Sequence, residues 1–192
     1  VVVSQLRDLF LEGNDESNVF RKISLNEDSQ SIANFARITM QAVDPEGEWH
    51  GIKLLHDHVI KKSPGASSKS IPLHQDNMFW PVDNAACSTW TSLTDAPIDG
   101  GCMEIFNHAG KPHLCHQNNA PVDFMADELA SGMQNVLKED SQPIRYLVPM
   151  KAGDTLVFTS NTWHRSSPNG KQDLTRAAYI QAWIHPKARW RP

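Results

Sequence analysis

From Ile52 onward the chain is built of short apolar runs, each closed by a cluster of turn residues, and this punctuation most narrows what it can fold into. Ile52 to Ile60 reads as a strand, broken by Ser63-Pro64-Gly65. Ser88 to Thr94 alternates Trp90, Ser92 and Thr94 against Thr89, Thr91 and Leu93. Asp99-Gly100-Gly101 is a turn that leads into Cys102 to Phe106. Ile144 to Pro149, Asp154 to Thr159 and Thr175 to Ile184 give three further strands, with turns at Lys151-Ala152-Gly153-Asp154 and Pro168-Asn169-Gly170. Short strands at this spacing cannot each bury a face alone, so they must close on one another as a sandwich or barrel. The predicted class is mainly β with flanking helices.

Three segments have a different texture. Gln5 to Leu11 is a short amphipathic stretch, and Ser29 to Val43 places Ile32, Phe35, Ile38, Met40 and Val43 near helical spacing. Val122 to Lys138 is polar and partly helical in pattern. The reading is one domain over 1–192, with a helical part over 1–50 and a β core over 51–186 that carries a partly helical insertion near 121–140. A length of 192 residues agrees with that, as do 40% hydrophobic and 21% charged residues.

Charge and cysteine content remove several classes of partner. With 18 basic against 22 acidic residues and no basic stripe, the chain lacks the electrostatic footprint of nucleic-acid binding. No apolar run reaches the roughly 18–20 residues of a membrane span. Cys87, Cys102 and Cys115 match no zinc-ribbon spacing and read as reduced thiols of an intracellular, cytoplasmic protein. The chain opens on Val1-Val2-Val3 rather than Met, the expectation for a trimmed or incomplete start. The expected partner is a small-molecule substrate, with oligomeric state unassigned.

The sharpest local motif is Leu73-His74-Gln75-Asp76. On an extended segment, residues two apart face the same way, so His74 and Asp76 can offer a nitrogen and a carboxylate oxygen to one ion. His164, just beyond the strand Asp154 to Thr159, is the best third ligand. Two imidazoles and one carboxylate on one side of an octahedral ion leave three positions open, the facial arrangement of non-haem Fe(II) oxygenases. A bare His-X-Asp recurs by chance on loops, and the same three ligands could hold tetrahedral zinc.

Four blocks extend the motif. They are Leu55-His56-Asp57-His58-Val59-Ile60-Lys61-Lys62-Ser63-Pro64-Gly65, then Ile71-Pro72-Leu73-His74-Gln75-Asp76. Next come Trp90-Thr91-Ser92-Leu93-Thr94-Asp95-Ala96 with Gly100-Gly101-Cys102-Met103-Glu104, and Gly153-Asp154-Thr155-Leu156-Val157-Phe158 with His164, Ser166, Asn169 and Arg176. In this order they resemble the phytanoyl-CoA hydroxylase family of Fe(II)/2-oxoglutarate dioxygenases, over about Leu54 to Trp183. The typical Pro-Gly-Ser-His segment of the family is replaced by Asn107-His108-Ala109-Gly110.

The resemblance implies a double-stranded β-helix (jelly-roll, cupin-like) core, with Fe(II) held by His74, Asp76 and His164. It implies 2-oxoglutarate and O₂ as cosubstrates, with Arg176 and Ser166 at the distal carboxylate and Trp90, Gln75 and His58 around the cosubstrate. Related halogenases replace the ligand carboxylate with a small residue, so Asp76 points to hydroxylation or another oxidation of a small metabolite. Phe79, Trp80 and Trp163 are candidates for the substrate cavity, with plain packing as the competing role. Arg165 and Arg189 read as solvated. His56 with His58 forms a His-X-His pair that could be taken for a cupin metal site. Two other functions share the ligand set: a zinc hydrolase, which would need a nearby general base, and a β-barrel binding protein without catalysis.

Overall fold

The computed structural model describes residues 20–21, 52–65, 68–79, 86–107 and 144–189. The predicted helices Gln5 to Leu11 and Ser29 to Val43, and the insertion Val122 to Lys138, lie outside the described residues. Nine strands are described: β1 (Phe20–Arg21), β2 (Lys53–Lys62), β3 (Ile71–His74), β4 (Ala86–Ser92), β5 (Met103–Asn107), β6 (Ile144–Val148), β7 (Thr155–Thr159), β8 (Trp163–Ser166) and β9 (Arg176–Ile184). They form two antiparallel sheets, one in the order β1-β2-β9-β4-β7 and one in the order β3-β8-β5-β6. This is the mainly β, double-stranded β-helix architecture that the strand pattern and the resemblance predict. No described helix is long and apolar enough to cross a membrane.

Position in the sheet explains the composition of each strand. β9 lies between β2 and β4, and eight of its nine residues are buried. That is why Arg176-Ala177-Ala178-Tyr179-Ile180-Gln181-Ala182-Trp183-Ile184 lacks a polar alternation: neither face meets water. β4 is also buried throughout, although Ser and Thr fill much of it. Its hydroxyls are absorbed by neighbours: the Thr89 hydroxyl donates to Gln181 Oε1 at 3.3 Å and accepts from Trp183 Nε1 at 3.1 Å. β6 is an edge strand and leaves Ile144, Tyr146 and Leu147 exposed.

Six predicted strands correspond to β2, β4, β5, β6, β7 and β9, with ends shifted by up to two residues. β3 and β8, at four residues each, were not read as strands, nor was β1. β1 falls within the segment predicted to be helical and pairs Phe20 with Ile60 and Arg21 with Val59. Cys87 and Cys102 are buried free thiols, as expected of reduced cysteines.

The core lies between the sheets and includes Ile60, Trp90, Cys102, Met103, Met150, Ala178 and Ile180. The turn at Gly101 has φ +76, and a Cβ there would stand 2.7 Å from the Ser167 carbonyl. Only glycine permits both the left-handed backbone and this approach. The consequence is functional, because the Gly101 carbonyl accepts a hydrogen bond from Arg176 Nε at 3.1 Å.

Candidate metal and cosubstrate site

Strand parity sets the inner wall. β2 contributes His56, His58 and Ile60, β4 Trp90, β5 Met103, β7 Phe158, β8 His164 and Ser166, and β9 Arg176 and Ile180. Within each strand these are residues of one parity, the face a pleated strand turns to one side. With Ile71, His74, Asp76, Phe79 and Arg165 they line a partly open cavity of about 200 Å³.

At one end, β3 and β8 pair His74 directly with His164. Asp76 begins the short 3-10 turn Asp76–Met78 immediately after β3. The donor atoms of His74, Asp76 and His164 all lie within 4.8 Å of one another, the one such cluster of three among the described residues. Nε2 of His74 stands 3.5 Å from Asp76 Oδ1, and Nε2 of His164 stands 3.6 Å from the same oxygen. Ligands bound at about 2.1 Å and at right angles would be roughly 3 Å apart, so a small inward shift closes this set on an ion.

The backbone prepares the imidazoles for that task. His74 Nδ1 lies 2.7 Å from the Pro72 carbonyl, and His164 Nδ1 lies 2.9 Å from the Thr162 carbonyl. A carbonyl only accepts, so each Nδ1 carries a proton and each Nε2 is the atom turned toward the cluster. Burial, then the neighbouring His74 charge, pushes His164 down to about 4 against the opposing pull of Asp76 and Thr162. Burial opposes ionisation of Asp76, but His164, His74 and a hydrogen bond from the Ser88 hydroxyl outweigh it and hold the carboxyl well below its usual range. Two imidazoles and a carboxylate therefore converge on one point, a donor set that fits a divalent cation.

The other end of the cavity is cationic. Arg176 is 1% exposed and donates from Nε to Gly101 O at 3.1 Å and from Nη2 to Ser166 Oγ at 3.2 Å. Its Cζ lies 5.1 Å from the Trp90 ring centroid, a cation–π contact. Nη1 has no hydrogen-bond partner among the described residues. Burial pushes the guanidinium down to about 9, which still leaves it charged at neutral pH. An enclosed cation without a carboxylate costs several kcal/mol, and an incoming carboxylate offsets that cost. This orphaned donor fits a ligand with a distal carboxylate.

Several of the predicted site residues meet here: His74, Asp76 and His164 at one end, Arg176, Ser166 and Trp90 at the other, and His58 on the wall between. His56 and His58 stack with centroids 5.4 Å apart, on the wall and outside the three-residue cluster. Phe79 also lines the cavity, its ring edge-on to His74 at 5.8 Å. Trp80 lies outside the described residues. Gln75 is not on the wall: its side chain is buried and donates from Nε2 to Asn161 O at 2.5 Å, tying the metal loop to the turn before β8. Trp163 takes the packing role of its two candidate roles. His164 faces inward, so its neighbour on the strand faces outward, where Trp163 is buried opposite Phe106. Arg165 is half-buried rather than solvated; its Nε and Nη2 both lie 2.9 Å from Glu104 Oε2.

Sequence reasoning missed Ser88 and Lys62. Both were visible in strand parity: Ser88 shares a face with Trp90, and Lys62 continues the series His56, His58, Ile60.

A β-helix that sets a 2-His-1-carboxylate cluster against a buried arginine is the arrangement of the 2-oxoglutarate-dependent non-haem iron enzymes, which use Fe(II) and 2-oxoglutarate. Within that class the chain belongs to the phytanoyl-CoA dioxygenase (PhyH) family, whose profile matches residues 4–178.

Solved structures agree on the fold. The epimerase SnoN in complex with Fe3+, alpha-ketoglutarate and nogalamycin RO is 18% identical with TM-score 0.61, over 91% of this chain and 66% of that one. The carbocyclase SnoK from nogalamycin biosynthesis is 18% identical with TM-score 0.59, over 91% and 83%. EvdO2 from Micromonospora carbonacea var. aurantiaca, complexed with 2-oxoglutarate, is 23% identical with TM-score 0.52, over 85% and 62%. This chain thus spans just under two thirds of the SnoN complex and of EvdO2. No curated protein sequence matches the chain.

Proposed function

We propose that His74, Asp76 and His164 hold Fe(II), that Arg176 and Ser166 bind the distal carboxylate of 2-oxoglutarate, and that the enzyme oxidises a C–H bond of a small-molecule metabolite, with hydroxylation as the simplest outcome. The observation that carries this is the pairing of a convergent His-Asp-His donor set with a buried arginine whose Nη1 has no partner among the described residues, both lining one cavity. Fe(II) and 2-oxoglutarate, when bound, would let O₂ serve as the oxidant, with two electrons drawn from 2-oxoglutarate as it becomes succinate and CO₂ and two from the substrate.

The chain's own residues bind, orient and shield. Pro72 and Thr162 hold the two imidazoles in the metal-binding tautomer, and Ser88 occupies one carboxylate oxygen of Asp76 and leaves the other to the ion. Arg176 presents its free donor edge to the far carboxylate, and the Trp90 ring supports its plane. His58 stands on the wall between the two ends, where its ring can donate to a cosubstrate oxygen. Burial, then the His56 charge, pushes His58 down to about 4, so it acts as a neutral hydrogen-bonding group. Ile60, Ile71, Met103, Phe158 and Ile180 keep water from the reacting atoms. Among the described residues that line the cavity there is no Glu to serve as the general base a zinc hydrolase would require.

A natural-product scaffold is the substrate class we favour, supported by the nogalamycin enzymes among the structural neighbours. The test is 2-oxoglutarate turnover by Fe(II)-loaded protein against a metabolite panel, read as succinate. Succinate formed in step with an oxidised product is expected. Protein that takes up Fe(II) yet consumes no 2-oxoglutarate, with or without panel compounds, would contradict the assignment.

A further inference from the structure

Lys62 is 2% exposed, and the register of β2 and β9 places it directly opposite Arg176 on the inner face. Like charges facing each other across a strand pair are destabilising, and burial makes them more so. Burial and then Arg176 push Lys62 down to about 7, with Glu104 acting in the opposite direction. Glu104 does not touch it: that carboxylate is held by Arg165, Ser167 and Arg145. So unfavourable an arrangement calls for a role.

The contacts of Lys62 indicate one. Its Nζ donates to Lys69 O at 2.9 Å, Ser166 O at 3.1 Å and Ser167 O at 2.6 Å. Three carbonyl acceptors match the three donors that only an ammonium has. The stem packs on Gly101, with Lys62 Cδ 3.2 Å from where a Cβ would stand. Ser166 and Gly101 are the two residues that accept hydrogen bonds from Arg176, one through its hydroxyl and one through its carbonyl. Lys62 therefore grips both residues that aim the guanidinium, although it is not itself on the cavity wall.

We propose that Lys62 is a positioning residue that fixes the Arg176 guanidinium through Ser166 and Gly101, and so sets the preference of the site for a 2-oxo acid with a distal carboxylate. This rests on the assignment of Arg176 to that carboxylate. An ordinary structural lysine would support the fold without discriminating between 2-oxo acids.

The experiment is anaerobic calorimetric titration of Fe(II)-loaded protein with 2-oxoglutarate and, separately, with pyruvate, which keeps the chelating end and lacks the distal carboxylate. Lys62→Met should weaken 2-oxoglutarate by about tenfold, the scale of one impaired charge-assisted hydrogen bond. Pyruvate binding should stay within about twofold, since nothing it touches has moved. Equal losses for both acids, or no loss for either, would overturn the proposal. If Lys62→Met does not fold, Lys62→Arg serves instead: it keeps the charge but cannot reach three carbonyls from one atom, and an unchanged ratio of the two affinities overturns the proposal. Arg176→Met run alongside separates the two levels. If it spares 2-oxoglutarate binding, the cosubstrate assignment itself fails; if it weakens binding while Lys62→Met does not, only the role of Lys62 fails.

Discussion

At the scale of single residues, the site works by fixing side chains through what lies behind them. Asp76 is useful to a cation because Ser88 occupies its second oxygen, and each imidazole because a backbone carbonyl holds its Nδ1 proton. Ser88→Ala is thus expected to weaken Fe(II) binding by about 10–100-fold, the usual loss when a residue that orients a ligand is removed. A metal titration measures this, and wild-type affinity in the variant would contradict it. Arg176→Met is expected to weaken 2-oxoglutarate by about 10–100-fold with Fe(II) affinity unchanged, because the guanidinium stands outside the His74-Asp76-His164 cluster. The ligands themselves were legible in the sequence because His-X-Asp is local and the blocks around it are ordered. The face of Ser88 was legible too, from its parity with Trp90, but its bond to Asp76 was not, since that depends on β4 passing behind Asp76, a relation between segments that no local pattern records.

At the scale of elements, parity decides which side chains meet the cavity. On β8, His164 and Ser166 face inward, while Trp163 packs on the outer face and Arg165 reaches the cavity only at its border. Nearness to a ligand in sequence made Trp163 a cavity candidate, but a pleated strand sends neighbours to opposite sides. Trp163→Ala is accordingly expected to cost about 3–5 kcal/mol of stability in chemical denaturation. The folded fraction should bind 2-oxoglutarate as wild type does, and a selective loss of cosubstrate affinity would contradict the outward placement. Strands with turn residues at both ends, such as β5 behind Asp99-Gly100-Gly101 and β7 behind Gly153, could be read from sequence. β3 and β8 could not: four residues give too short a period to detect, and their pairing of His74 with His164 is a long-range event.

At the scale of the whole molecule, the fold brings the His74-Asp76-His164 cluster and the buried Arg176 onto one cavity, and a histidine of that cluster bears on stability. His164 has its pKa depressed to about 4 in the folded chain, mainly by burial, against 6.5 as its ordinary value. Between those values the unfolded chain binds a proton that the folded chain does not, so metal-free protein loses stability as pH falls from about 6.5 toward 4. His164→Gln should flatten that dependence in thermal melts, and a slope left unchanged by the substitution would exclude this residue as its source. Fe(II) loading at neutral pH should raise the melting temperature, and a chelator should return it. The most direct test of the central claim is the visible absorption of protein mixed anaerobically with Fe(II) and 2-oxoglutarate. A weak charge-transfer band is expected in the wild type and none in His74→Ala. Wild-type protein that carries Fe(II) and shows no band, or a band that survives in His74→Ala, would contradict it.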